Sequence, residues 1–157
     1  MRVLVVDDDE VSRLVLVKSL ETLGDVVTAA DGEAGLDAVR AAFEEGRPFD
    51  LLCLDIMMPK KDGQTLLKDI RALEGEFGVP SEKEAKIIMT TALNDPANLV
   101  QAVPRCDAYL TKPVDRGDLM FYIRKFGLLG SGGAVKPPPA HSGKVWGQKD
   151  KDMPWVG

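Results

Sequence analysis

This sequence predicts a doubly wound α/β fold, a five-stranded parallel sheet with helices on both faces, on three observations. Short apolar runs recur at 2–6, 26–29, 49–54, 86–91 and 108–110. Segments whose apolar residues repeat at helical spacing lie between them. The third run ends in a carboxylate, Asp55, and gives way to a turn marked by Pro59 and Gly63, which sets that acid at the carboxyl edge of the sheet. Five strand-then-helix units in series join right-handedly into one parallel sheet.

Each element has its own signal. Residues 2–6 are a β-branched, apolar run suited to a strand covered on both faces. Val11, Leu14, Val15 and Lys18 recur at helical spacing and predict a first helix that ends near Gly24. Val26 to Ala29 is the second strand, Glu33 to Glu45 the second helix, and Phe49 to Leu54 the third strand. Gly63 to Leu73 follows as a helix with Leu66, Ile70 and Leu73 as its inner stripe. Residues 74–84 are polar and broken by Gly and Pro, the composition of a long surface loop. Lys86 to Thr91 is the fourth strand, and Asp95 before Pro96 caps a fourth helix running to about Val103. Ala108 to Leu110 is a short fifth strand. Asp115 caps the fifth helix, which turns Leu119, Ile123 and Phe126 inward and Met120, Phe121 and Arg124 away.

The sum is a flavodoxin-like sandwich over residues 1–127. Residues 128–157 are a Gly/Pro-rich C-terminal tail that cannot bury enough surface to offset its ordering entropy. It reads as a flexible tail or as a docking peptide, with Pro137-Pro138-Pro139 in polyproline form and Trp146 and Trp155 as anchors. His141 lies in that tail without helical context and reads as solvated.

Composition narrows the function. A chain of 157 residues, 45% hydrophobic and 29% charged, holds one domain with a sizeable core. The net charge of −5 and the lack of a Lys/Arg cluster argue against direct nucleic-acid binding. The apolar stretch at the amino terminus is too short for a signal peptide and no run approaches a membrane span, so a cytoplasmic location is expected. Cys53 and Cys106 lie in or beside strands without Cys-x-x-Cys spacing and read as small core residues of a reduced protein.

The topology gathers the ends of the first, third, fourth and fifth strands, and with them Asp7, Asp8, Asp55, Thr90 or Thr91, and Lys112. Three carboxylates in a small cleft call for a cation, and a hard ion with oxygen ligands, Mg²⁺, is the natural one. Lys112, just before Pro113, adds a positive group suited to a phosphate oxygen. Alone, Asp7-Asp8-Asp9 is also a helix start, since acids favour helix N-termini. Its joint occurrence with Asp55 and Lys112 at one sheet edge decides for a site.

Four motifs stand in order here: Val5-Val6-Asp7-Asp8, Leu54-Asp55-Ile56-Met57-Met58-Pro59 with Asp62-Gly63, Thr90-Thr91-Ala92, and Tyr109-Leu110-Thr111-Lys112-Pro113. Through them, residues 2–126 resemble the response-regulator receiver family of two-component signalling. The resemblance implies Asp55 as phosphoacceptor, and Asp7, Asp8 and the Met57 carbonyl as the groups that hold Mg²⁺ with it. It implies Thr91 as the hydroxyl that turns to the phosphoryl group, Lys112 as its salt-bridge partner, and a cis Lys112-Pro113 bond. Tyr109 matches a switching aromatic, though ordinary packing also accounts for it.

A histidine kinase or phosphotransfer protein would phosphorylate Asp55 with Mg²⁺. That change would bias a protein-binding surface on the fourth helix, fifth strand and fifth helix, with Met120, Phe121 and Arg124 as a partner face for a downstream protein. The expectation is a stand-alone response regulator, a monomer or a phosphorylation-dependent dimer, with self-directed chemistry rather than enzymatic turnover. Met57 and Leu93 occupy the variable positions flanking the acceptor, and two apolar side chains orient hydrolytic water poorly, which predicts a long-lived aspartyl phosphate.

Two other readings fit less of the chain. A Mg²⁺-dependent phosphohydrolase with a covalent aspartyl phosphate needs a second acid two residues after the nucleophile, and Met57 stands there. A flavodoxin-like cofactor binder needs a phosphate-cradling loop after the first strand, where Asp7-Asp8-Asp9 would repel a phosphate.

Overall fold

The computed structural model describes residues 1–58, 61–92 and 106–129, and the backbone of 145–147. In chain order the elements are β1 (Arg2–Val6), α1 (Glu10–Leu20), β2 (Asp25–Ala29), α2 (Gly32–Glu44), β3 (Leu51–Asp55), α3 (Gly63–Glu76), a 3₁₀ turn (Ser81–Lys83), β4 (Lys86–Thr91), β5 (Ala108–Thr111), α4 (Arg116–Lys125) and β6 (Val145–Gly147). The helix predicted from Asp95 and Pro96 lies outside the described residues, as does Leu93. All four described helices start on an aspartate whose carboxylate accepts a backbone N–H: Asp9 from Ser12, Asp31 from Ala34, Asp62 from Thr65 and Asp115 from Asp118.

The strands lie in the order β2-β1-β3-β4-β5-β6. The first five are parallel, as the alternation of runs predicts. From β1 the chain steps outward to β2 and then back across β1 to β3, so the strand order reverses between β1 and β3 and opens a crevice at their carboxyl ends. Register fixes what stands there. Val6 pairs with Leu54, so Asp7 and Asp55, one residue further along each strand, come side by side.

Strand alternation divides the core in two. Leu4, Val6, Leu52, Leu54, Ile87, Met89 and Tyr109 pack with α2 and α3, and Val3, Val5, Leu51, Cys53, Ile88 and Leu110 with α1 and α4. Both thiols are buried, and burial pushes each up to about 12, in keeping with inert core cysteines.

Three elements differ from the sequence reading. In α1 the residues that announced the helix face outward: Val11, Leu14 and Val15 are 69%, 54% and 42% exposed, while Leu16 and Leu20 are buried. Apolar residues occupy more than one face of this helix, so periodicity leaves its rotation open. The Asp9 cap and the Arg13 guanidinium, which donates to the Asp7 carbonyl at 2.7 Å, set it.

The segment 74–84 is not simply a surface loop. Helix α3 continues through Glu76 and ends at Gly78, whose φ of 68° lets Val79 N–H reach back to the Glu74 carbonyl at 2.9 Å. Glu74 is buried because Arg71 and Ala85 satisfy it. Arg71 Nη1 donates to Glu74 Oε1 at 2.8 Å and to the Ala85 carbonyl at 2.9 Å, and Ala85 N–H donates to Glu74 Oε2 at 2.8 Å. Arg71 Nη2 also meets Asp107 Oδ2 at 3.2 Å, and that oxygen accepts Ile87 N–H at 2.9 Å. One guanidinium thus ties α3 to the starts of β4 and β5.

The tail contributes a sixth strand. Val145–Gly147 pairs antiparallel with β5, Tyr109 opposite Trp146. Three residues are too few for periodicity to announce them. The core also runs slightly past residue 127: Leu128 and Leu129 are partly buried against the second core cluster, and Leu128 N–H closes α4 on the Ile123 carbonyl at 3.2 Å.

Arg71→Ala strands the Glu74 and Asp107 charges at the starts of β4 and β5 and is expected to cost about 3 kcal/mol in urea unfolding. Lys18→Ala, which removes an exposed pair with Glu21, is expected to cost less than about 1 kcal/mol. Equal effects would contradict the network.

Candidate functional site

Four strand ends build the cleft. Asp7 follows β1, Asp55 closes β3, Thr90 pairs with Asp55 from β4, and Lys112 follows β5. Backbone bonds hold these ends: Asp7 N–H to the Ala29 carbonyl, Ile56 N–H to Thr90 and Lys112 N–H to Thr91, at 3.1, 3.0 and 2.7 Å. The Lys112–Pro113 peptide is cis. Behind Asp55, Gly63 N–H donates to the Ile56 carbonyl at 3.0 Å, and a Cβ on Gly63 would fall 2.3 Å from the Asp55 carbonyl oxygen. Only glycine lets the start of α3 lie this close to the acid.

Carboxylate oxygens of Asp7, Asp8 and Asp55 all lie within 4.8 Å of one another. Asp7 and Asp55 are buried, and Asp8 is exposed at the mouth of the cleft. Lys112 Nζ stands 3.0 Å from Asp7 Oδ2 and 3.2 Å from Asp55 Oδ1. Asp7 Oδ1 accepts Asp9 N–H at 2.9 Å, whereas Asp7 Oδ2, fully buried, meets the ammonium charge without an aligned hydrogen bond. Three acids and one lysine leave an excess of negative charge in a site closed below and open above. A hard divalent cation with oxygen ligands fits that donor set, and the under-coordinated Asp7 oxygen is the observation that favours it.

The electrostatics follow from burial. Desolvation and the neighbouring Asp7 charge push Asp55 up to about 7, against the pull of Lys112. Lys112 loses solvation too, but its close contact with Asp7 and the charges of Asp55 and Asp7 outweigh that loss and raise it. Lys112 is therefore a fixed cation beside an acid whose charge is costly.

The remaining expected residues divide between the two faces. Asp55, Thr90 and Lys112 continue the alternation of the α1 and α4 face, while Thr91 and Tyr109 fall on the α2 and α3 face. Thr91 is buried, and its hydroxyl donates to the Ala92 carbonyl at 3.3 Å. Tyr109 is 1% exposed, and burial beside Cys106 pushes its phenol up. Met57 sits on the loop beyond Asp55 with 60% of its surface exposed.

On α4, Met120 and Phe121 are half-buried against the second core cluster and Arg124 is exposed. The Phe121 ring meets Tyr122 edge-on at 5.0 Å, and Lys125 Nζ lies 5.9 Å above it. The apolar part of the proposed partner face is thus already half covered. Sequence reasoning missed Arg13, which grips the Asp7 carbonyl; its signal is its place one turn after the Asp9 cap.

A family model described as "Response regulator receiver domain" matches residues 3–124. A probable transcriptional regulator ycf27 of Cyanophora paradoxa is 37% identical over 125 residues, 78% of this chain and 46% of that protein. The chain spans less than half the length of such curated relatives. The receiver domain of Ssk1, solved with the histidine phosphotransfer protein Ypd1 of Saccharomyces cerevisiae, superposes with TM-score 0.68 at 25% identity, covering 82% of this chain and 89% of that one. The receiver domain of the histidine kinase CKI1 from Arabidopsis thaliana, complexed with Mg²⁺ and BeF₃⁻, superposes with TM-score 0.65 at 30% identity, covering 81% and 89%.

An acid whose folded pKa is raised above its unfolded value stabilises the fold at low pH, and that contribution is lost as pH rises through the folded value, here about 7. Asp55→Asn removes the charge. In urea unfolding with a chelator present, the variant is expected to be more stable than the parent by about 1–2 kcal/mol at pH 8, and by less at pH 5, where the loss that begins at the ordinary value of 3.8 is only partly developed. The same difference at both pH values would contradict the strained charge.

Proposed function

This chain belongs to the response regulator receiver domain family, and we propose that Asp55 accepts a phosphoryl group from a phosphohistidine donor in two-component signalling. The observation that carries the reading is the convergence of Asp7, Asp8, Asp55 and Lys112 at one strand crossover, with Lys112 between the two buried acids. Asp7, Asp8 and Asp55, with the Met57 carbonyl, would hold Mg²⁺, which when bound neutralises phosphoryl oxygens. The Mg²⁺ and BeF₃⁻ complex of the CKI1 receiver supports this assignment.

In the transfer, an Asp55 carboxylate oxygen forms the new bond to phosphorus as the donor's N–P bond breaks, and the imidazole, already protonated on its other ring nitrogen in the phosphohistidine, leaves as the neutral base. Lys112 holds its charge through the step and compensates the negative charge on the equatorial oxygens. No side chain needs to act as general base, because Lys112, and Mg²⁺ when bound, would favour the carboxylate form of Asp55. The chemistry is self-directed and leaves the protein itself modified.

The outward face of α1 supports a protein donor. Val11, Leu14 and Val15 form an exposed apolar patch beside the cleft. A hollow of about 110 Å³, lined by Val11, Val15, Leu16, Pro113 and Val114, connects that patch to Asp7 and Lys112. An apolar surface next to the acceptor suits a helical phosphotransfer domain or kinase, and the Ssk1 receiver with Ypd1 is a solved pairing of this kind. Phosphorylation would then bias Thr91 and Tyr109, which share the other face, and through them the surface beyond β4 and β5.

Bound beryllofluoride is expected to give a ¹⁹F resonance only when Mg²⁺ is present, and none in Asp55→Asn. A signal that persists in that variant would reject the acceptor assignment. Val11→Glu with Val15→Glu is expected to slow transfer from a phosphotransfer protein about tenfold or more while labelling by acetyl phosphate stays unchanged. Met57→Asn is expected to shorten the lifetime of the aspartyl phosphate several-fold, measured as phosphate release.

A further inference from the structure

Among the described residues, β5 has β4 on one side and only β6 on the other. Its four residues, Ala108 to Thr111, are all buried and carry neither charge nor proline. Apart from its shortness, this strand has none of the devices by which edge strands avoid pairing with another chain. Val145 to Gly147 lies antiparallel along that edge, with Leu110, Tyr109 and Ala108 opposite Val145, Trp146 and Gly147. We propose that residues 145–147 are an intramolecular cover for the β5 edge, which holds off pairing of that edge with a second copy of the chain.

The composition of the covering segment suits the task. Val145 and Trp146 have strong strand preference. A three-residue pairing is weak, so the cover opens readily. Closing the connection over residues 130–144 costs entropy that grows only slowly with length, and tethering gives the cover an effective concentration of roughly millimolar. At micromolar protein the cover therefore outcompetes a second copy, although two free β5 edges are well matched. Antiparallel pairing across a twofold axis is self-complementary, so one free β5 edge matches another.

The test is amide hydrogen exchange and sedimentation equilibrium on the full chain and on its Val145→Pro, Trp146→Pro variant, which removes strand donors. At about 10 μM the β5 amides that face β6 are expected to exchange at least about tenfold faster in the variant, while β1 and β3 amides keep their protection and report an intact fold. At several hundred micromolar the variant is expected to dimerise and regain β5 protection, with the parent monomeric throughout. Val145→Gly, a milder change, is expected to shift both readouts in the same direction by a smaller factor. Unchanged β5 exchange would overturn the cover, and faster exchange in a variant that stays monomeric would overturn the competition with a second copy.

Discussion

The fold is organised around a repulsion that it cannot relieve by itself. Pairing of Val6 with Leu54 in a parallel sheet puts Asp7 next to Asp55, and the helix that starts at Asp9 keeps Asp8 close by. Burial removes the water that would screen these charges, and Lys112 offsets only part of the excess. A cation entering such a site would relieve that repulsion, so register and the proposed function are one constraint.

The two ends of the sheet treat buried charge in opposite ways. At the carboxyl end, Asp7 Oδ2 is left without an aligned hydrogen bond. At the other end, Arg71, Glu74 and Asp107 share a network in which the backbone N–H groups of Ala85 and Ile87 also take part. Such satisfied networks fix geometry, and this one anchors the starts of β4 and β5, the strands that carry Thr90, Thr91 and Tyr109. Among the described residues, the unsatisfied Asp7 oxygen stands in the candidate site, the pattern expected of a functional site.

Much of this was legible in the sequence because the signals were local or repeated. Five apolar runs alternating with helical spacing give the parallel sheet, and the acid at the end of the third run marks its functional edge. The rotation of α1 was not legible, because Val11, Leu14, Val15 and Leu16 put apolar residues on more than one face and a tertiary bond from Arg13 chooses between them. The burial of Glu74 was hidden for a related reason: its partners Arg71 and Ala85 satisfy it only once α3 and β4 are side by side. β6 is set by pairing with a strand more than thirty residues away in sequence, and its three residues carry no period of their own. The acid cleft survived single-sequence reading because four motifs each carried one part of it.

The most direct measurement is chemical mapping of the phosphorylated chain. After phosphorylation with Mg²⁺ present, borohydride reduction converts an aspartyl phosphate to homoserine, and peptide mass spectrometry locates it. A site that works through the strained carboxylate beside Lys112 gives homoserine at position 55 and nowhere else, and gives none when the metal is chelated. Homoserine at Asp7 or Asp8, or modification independent of metal, would contradict it.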